Sequence, residues 1–242
     1  MDVVIPLGEN DVDVIQRCIN SCRKYIKNAK QIYIISYDEY LSLEDCTVLP
    51  EFMVEDTNFI LKIDEDRNKW YVQQLIKLYA FTKIPKLTDD YLVVDADTIF
   101  CKPIEFINEE GKYYFQTGKI SQDLISYFHH MNAMHPSLKS TGYNFIHHQM
   151  IFNKHRLQEL FRLVEDYHDK KPFWRVFLEN IKHYYYNGAS EYQIYATFMY
   201  IHHPDKVLLR NLKYKQNVVQ IDINEEYYWV NNHWVFRYLL LN

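Results

Sequence analysis

The chain has 242 residues, 27 Lys and Arg against 32 Asp and Glu, a formal net charge of −5, and 48% hydrophobic residues. That length buries a sizeable single core. The mixed apolar and charged content excludes wholesale disorder, and the acidic balance excludes the dense basic face of a duplex nucleic-acid binder. No apolar run approaches the roughly 18–20 residues that span a bilayer. Tyr is abundant, at 22 residues. Its ring packs as a hydrophobe while its hydroxyl bonds, which suits cores and sugar-binding clefts alike.

Met1-Asp2 leads straight into Val3-Val4-Ile5-Pro6-Leu7, a short apolar strand without a basic segment or cleavage pattern before it. The expectation is a cytoplasmic protein, in the host cytoplasm if the chain is viral. Asn10 or Asp11 can cap a following helix whose apolar positions Val14, Ile15, Cys18, Ile19, Cys22, Tyr25 and Ile26 keep a 3.6-residue period. Gln31 to Ser36 and Cys46 to Leu49 read as two more strands, so the first half is βαβ and predicts a parallel sheet covered by helices. Cys18, Cys22, Cys46 and Cys101 form neither a disulfide framework nor a metal knuckle and read as reduced thiols.

The charged stretch Lys62 to Lys69 reads as a loop, and Trp70 to Lys83 as a helix with Val72, Leu75, Ile76 and Tyr79 buried and Gln73, Gln74 and Lys77 on another face. Tyr91 to Val94 is a fully apolar strand. Tyr113 to Thr117 and Asn144 to Phe152 follow as strands, and His155 to Tyr167, Phe173 to Tyr184 and Ser190 to Ile201 as helices. Val207 to Leu241 alternates short apolar and polar stretches and has the weakest pattern. Repeats and Pro/Gly/Ser linkers are absent, which predicts one α/β domain.

The apolar strand ending at Val94 runs directly into Asp95-Ala96-Asp97-Thr98. Ligands of open α/β sheets bind outside the carboxyl ends of strands, so both carboxylates reach a cleft. Two hard oxygen ligands at i and i+2 suit Mg²⁺ or Mn²⁺, shared with substrate phosphates. The alternative is a plain turn in which Asp97 caps neighbouring backbone N–H groups. Tyr91 to Thr98 also comes close to the Asp-x-Asp-x-Thr string of haloacid-dehalogenase-type phosphatases, with Thr98 directly after Asp97. There the motif ends the first core strand, whereas about ninety residues and a βαβ half precede it in this chain.

Four stretches together resemble the metal-dependent GT-A glycosyltransferases with a DxD motif, including small members from bacteria and large DNA viruses. They are Val3 to Leu7, Gln73 to Leu78, Tyr91 to Phe100, and Asn144 to Phe152 with Ser190-Glu191-Tyr192. The resemblance covers most of the chain and implies a GT-A-like (Rossmann-like) mixed, mainly parallel sheet flanked by helices. It implies a single catalytic domain over 1–242, with a nucleotide-sugar-binding half (1–100) and an acceptor-binding half (101–242). The implied reaction moves a sugar from a nucleotide-diphospho-sugar (UDP-, GDP- or dTDP-linked) to a hydroxyl acceptor on a glycan or glycoconjugate.

Carried over residue by residue, the resemblance implies that Pro6 and Leu7 floor the nucleotide site, and that Asp95 and Asp97, flanking Ala96, hold Mn²⁺ or Mg²⁺. Gln74 and Lys77 would sit over the phosphates or donor sugar. Glu191 is the candidate carboxylate at the reacting carbon; Ser190-x-x-Gln193 is a capping-box pattern that fixes it in the first turn of a helix. Neighbours on a strand point to opposite faces, so one of His147 and His148 lines the cleft, with His148 the candidate acceptor contact beside Asn144 and Gln149. Tyr143 and Tyr192 are candidates to stack on sugar rings, and His233 or His203 to complete the metal site. A binding protein that kept this fold and lost activity is the remaining alternative.

Overall fold

The computed structural model describes residues 1–38, 40–52, 54, 65–182, 188–218 and 226–231, with backbone alone at 65–67 and 123. In chain order the first half holds β1 (Asp2–Leu7), α1 (Ile15–Tyr25), β2 (Ile32–Ser36), β3 (Thr47–Pro50), α2 (Glu65–Lys83), β4 (Asp90–Val94) and β5 (Thr98–Phe100). The second half holds β6 (Tyr113–Gln116), α3 (Ile125–Met134), β7 (Gln149–Asn153), α4 (Lys154–Tyr167), α5 (Phe173–Glu179), α6 (Glu191–His202), β8 (Val207–Arg210), β9 (Tyr214–Lys215) and β10 (Trp229–Asn231).

The central sheet has five strands in the order β3-β2-β1-β4-β7, parallel except for β7, which runs antiparallel to β4. The expected mainly parallel, helix-flanked α/β sheet is therefore present. Its inner strands are near-continuous Val, Ile and Leu because both faces are covered. From β1 the chain winds outward to β2 and β3, then returns past β1 to β4, so the strand order reverses between β1 and β4. In open α/β sheets such a reversal is where a crevice opens at the carboxyl ends of the strands. Leu7 and Val94 end the two strands that flank it.

A three-stranded sheet, β5-β10-β9, grows out of the turn that follows β4, and β6 pairs with β8 in a separate two-stranded ribbon. All four cysteines are free, and Cys18, Cys22 and Cys101 are buried. Among the described residues no helix is long and apolar enough to cross a membrane.

Several boundaries differ from the sequence expectation for local reasons. Glu65 to Lys69, read as loop, belong to α2, whose first turn takes its charged residues outside the apolar period. The strand expected over Asn144 to Phe152 begins only at Gln149. Before it, Asn144 makes a single bridge to Gly118, and its side chain accepts the Ile146 N–H, bonds that draw the chain out of the ladder. The helix expected to reach Tyr184 stops at Glu179, where the Asn180 side-chain amide bonds back to the Val176 carbonyl. The helix α3 and the short strands β5, β8, β9 and β10 were not anticipated as elements.

Candidate functional site

At the crevice, Asp95-Ala96-Asp97-Thr98 closes as a tight turn, with the Thr98 N–H donating to the Asp95 carbonyl at 3.0 Å. The turn is held from two more sides. The Asp95 N–H donates to the His148 carbonyl at 2.9 Å, and the Cys18 thiol of α1 reaches the Asp95 carbonyl at 3.8 Å. Ala96 and Asp97 are buried, while the Asp95 side chain keeps 26% exposure.

Three elements distant in sequence converge on Asp95. Lys77 of α2 places its Nζ 2.7 Å from Asp95 Oδ1 and 2.7 Å from Glu191 Oε1 at the start of α6. The Tyr192 hydroxyl donates to the same Asp95 Oδ1 at 2.9 Å, and the Lys77 ammonium lies 4.4 Å above the Tyr192 ring. His148, just before β7, turns its Nδ1 toward Asp95 Oδ2 at 3.6 Å. Lys77 and Glu191 are nearly closed to solvent, with side-chain exposures of 5% and 4%, whereas His148 keeps 18%. Asp95 and His148 are therefore the groups a ligand meets first, and the Lys77–Glu191 pair lies behind them.

The electrostatics follow from this arrangement. Burial works against a charged Asp95, but Lys77, and His148 after it, outweigh burial and bring the carboxyl down to about 2. Burial dominates at Glu191 and pushes its carboxyl above the usual range despite Lys77. Burial also opposes the Lys77 charge, yet Asp95 and Glu191 more than compensate and hold it well above the usual lysine range. The two carboxyls that share this ammonium are therefore shifted in opposite directions, Asp95 below and Glu191 above the ordinary value.

Local sequence explains the convergence. Gln74 and Lys77 lie three residues apart on one face of α2. Gln74 is buried and its carboxamide grips backbone: Nε2 donates to the Ala189 carbonyl at 3.1 Å and Oε1 accepts the Glu191 N–H at 3.1 Å. The Ser190 hydroxyl caps α6 by accepting the Gln193 N–H, as the sequence pattern predicts. The reciprocal half of the capping box is not made; the Gln193 side chain turns instead to the segment before β7.

Some expected contacts change accordingly. Gln74 does not lie over a donor site, because both ends of its amide are engaged with backbone. Lys77 lies beneath Asp95 rather than exposed above a phosphate pocket. Tyr192 is buried with its hydroxyl on Asp95, so it offers no open face to a sugar ring. Tyr143 packs against Phe145 and Tyr200. Gln149 is buried in β7 opposite Val94, with neither end of its amide hydrogen-bonded, and is not an open acceptor contact. Asn144 bonds within its own loop. His203 pairs with Glu159 at 2.8 Å on α4. Pro6 and Leu7 end β1 beside the crevice. His233 falls outside the described residues.

The donor set fits a hard divalent cation that shares itself with phosphate oxygens. Asp95 and Asp97 are carried by one turn, and Lys77 and Tyr192 both bond Asp95 Oδ1, while Oδ2 faces the His148 ring at 3.6 Å. Among the described residues no cluster of three His, Cys, Asp or Glu side chains could hold a metal by itself. A cation at these two carboxylates would have to take its remaining ligands from outside the protein.

Gln193 and the Tyr192 hydroxyl were not assigned these partners from sequence. The available signal was composition: Glu191, Gln193 and Thr197 are polar residues in a helix otherwise apolar and aromatic, and all are buried. No curated protein matches the chain. A family profile described as "Family of unknown function (DUF6492)" matches residues 2–236, and the chain belongs to that family.

Proposed function

We propose that the chain is a GT-A-like glycosyltransferase that moves a sugar from a nucleotide-diphospho-sugar to a hydroxyl acceptor, with Mn²⁺ or Mg²⁺ held by Asp95 and Asp97. The observation that carries this reading is the position of Asp95. It is the first residue beyond β4, at the point where the strand order reverses, and it is oriented by Lys77, Tyr192 and His148. An acid fixed by three side chains at a sheet's ligand-binding edge is prepared for a cation more than for fold stability.

In this reading the end of β1, at Pro6 and Leu7, faces the nucleoside, and the Asp95 to Thr98 turn faces the diphosphate. A cation bound there supplies Lewis-acid neutralisation of the departing nucleoside diphosphate. Lys77 and Tyr192 hold Asp95 Oδ1, which leaves Oδ2, faced by His148 at 3.6 Å, as the oxygen for the cation. Glu191, closed to solvent, acts through Lys77: it keeps the ammonium in place from behind. His148, partly exposed beside Asp95 and with its Nε2 3.2 Å from Gln216 Nε2, would meet the acceptor hydroxyl from the second-half side by exchanging that contact. The reaction belongs in the cytoplasm, where sugar nucleotides are available.

The test is a thermal-shift screen with UDP-, GDP- and dTDP-sugars, each with and without Mn²⁺. Stabilisation by one nucleotide class that requires the metal, and is lost in a folded Asp97→Ala variant, is the expected result. Unchanged donor affinity in Asp97→Ala would sink the assignment. Stabilisation by phosphate monoesters with phosphatase turnover replaces it with the dehalogenase-type reading, and donor binding without any transfer replaces it with a binding protein.

A further inference from the structure

We propose that Gln193 is a positioning residue of this crevice: its carboxamide ties the acidic first turn of α6 to the segment that carries His148, and so sets where His148 meets Asp95. The functional part of this proposal rests on the transferase reading above; the structural part does not.

Gln193 is fully buried two residues after Glu191. Its Oε1 accepts the Phe145 N–H at 2.8 Å and its Nε2 donates to the Tyr143 carbonyl at 3.1 Å, so one side chain bonds two backbone groups of segment 143–145 as a neighbouring strand would. Nε2 also reaches Thr197 Oγ1 at 3.3 Å, which braces the amide from the next turn of the helix. On its other side the segment is bonded to Gly118 through the Asn144 backbone. Three residues beyond Phe145, the His148 carbonyl receives the Asp95 N–H and the His148 ring faces Asp95 Oδ2. The contacts close a loop: Glu191 to Lys77, Lys77 to Asp95, Asp95 to His148, and through Phe145 and Gln193 back to the turn that carries Glu191.

A residue that served the fold alone would change stability and leave His148 where it is. The experiment compares Gln193→Met, which keeps length and removes all three bonds, with Gln193→Glu, which keeps the acceptor for Phe145 and removes the donor to Tyr143. His148 imidazole resonances, assigned by their disappearance in His148→Gln, are followed by NMR beside the melting temperature. Donor hydrolysis or transfer is measured with the sugar nucleotide found by the screen.

In Gln193→Met the His148 signals are expected to leave their wild-type positions and kcat to fall roughly 10–100-fold with KM little changed. Gln193→Glu should lie between that variant and wild type, and it carries the test if the Met variant does not fold. His148 signals at their wild-type positions in a folded variant overturn the proposal, whether or not any sugar nucleotide turns over. Displaced His148 signals with wild-type kcat overturn its functional part. Failure of every sugar nucleotide to bind the wild type removes the transferase reading and that functional part, while the His148 signals still decide the placement.

Discussion

Gln74 and Lys77 hold the same turn of α6, Gln74 through the backbone of Ala189 and Glu191 and Lys77 through the Glu191 side chain. Because the two are three residues apart on α2, a single helix face sets both the height and the rotation of α6 against Asp95. Replacing Gln74 with Leu leaves a buried carbonyl and a buried N–H without partners. The expected loss is about 1–3 kcal/mol for each group left unpaired, read from urea unfolding. A variant as stable as wild type would show that this grip is dispensable.

Removing the ammonium has a larger consequence. Lys77→Met leaves Asp95 and Glu191 facing each other without a cation, and breaking a buried ion pair from one side costs about 3–5 kcal/mol. Adding Glu191→Gln to Lys77→Met removes one of the stranded carboxylates and should return part of that loss. Strict additivity of the two substitutions in a double-mutant cycle would contradict the shared-ammonium arrangement.

Tyr192→Phe keeps the ring beneath Lys77 and deletes only the hydroxyl that donates to Asp95 Oδ1. A hydrogen bond to a charged acceptor contributes about 1.5–3 kcal/mol, and Lys77 on the same oxygen brings the expected loss to the lower end. Its effect on Mn²⁺-dependent donor stabilisation should exceed its effect on the melting temperature of the free protein. Equal changes in both would reduce Tyr192 to a packing residue.

Acid sensitivity should begin well above the range where Asp95 titrates. Burial pushes the His130 imidazole of α3 down to about 4, and its Nε2–H donates to the Phe177 carbonyl at 2.7 Å. The folded state therefore prefers the neutral ring. The stabilisation this brings is complete above the unfolded pKa of about 6.5 and is lost progressively as pH falls toward 4. Each such group steepens the loss by up to about 1.4 kcal/mol per pH unit. His130→Gln, which retains a donor for the Phe177 carbonyl, should flatten the stability curve between pH 6.5 and 4. An unchanged slope would show that this histidine does not govern the acid transition.

The sheet was legible in the sequence because its strands are buried on both faces and run apolar from end to end, as at Tyr91 to Val94 and Ile32 to Ile35. The placement of Asp95 and Asp97 was legible for the same reason: a buried strand must end somewhere, and its end is the crevice. What Gln74, Lys77 and Tyr192 do was not. Polar residues at helical spacing read as a solvated face, and only the tertiary approach of α6 turns that face inward. The short strands β5, β9 and β10 were illegible because two or three residues carry no period, and they exist through pairing with one another. Helix α3 was missed because its four buried residues, Tyr127, His130, Met131 and Met134, include two that are not simple hydrophobes.

The bonds that assemble the crevice join residues 97 positions apart at Tyr192 and Asp95, 114 at Lys77 and Glu191, and 117 at Gln74 and Glu191. Closing such separations carries an entropic cost that local contacts do not share, and it slows folding. The sheet core from β1 to β4 can gather before α6 arrives, but the surroundings of Asp95 cannot. In a refolding experiment, therefore, competence to bind a ligand at Asp95 should return in the slowest phase, after helical signal and most compaction have already recovered.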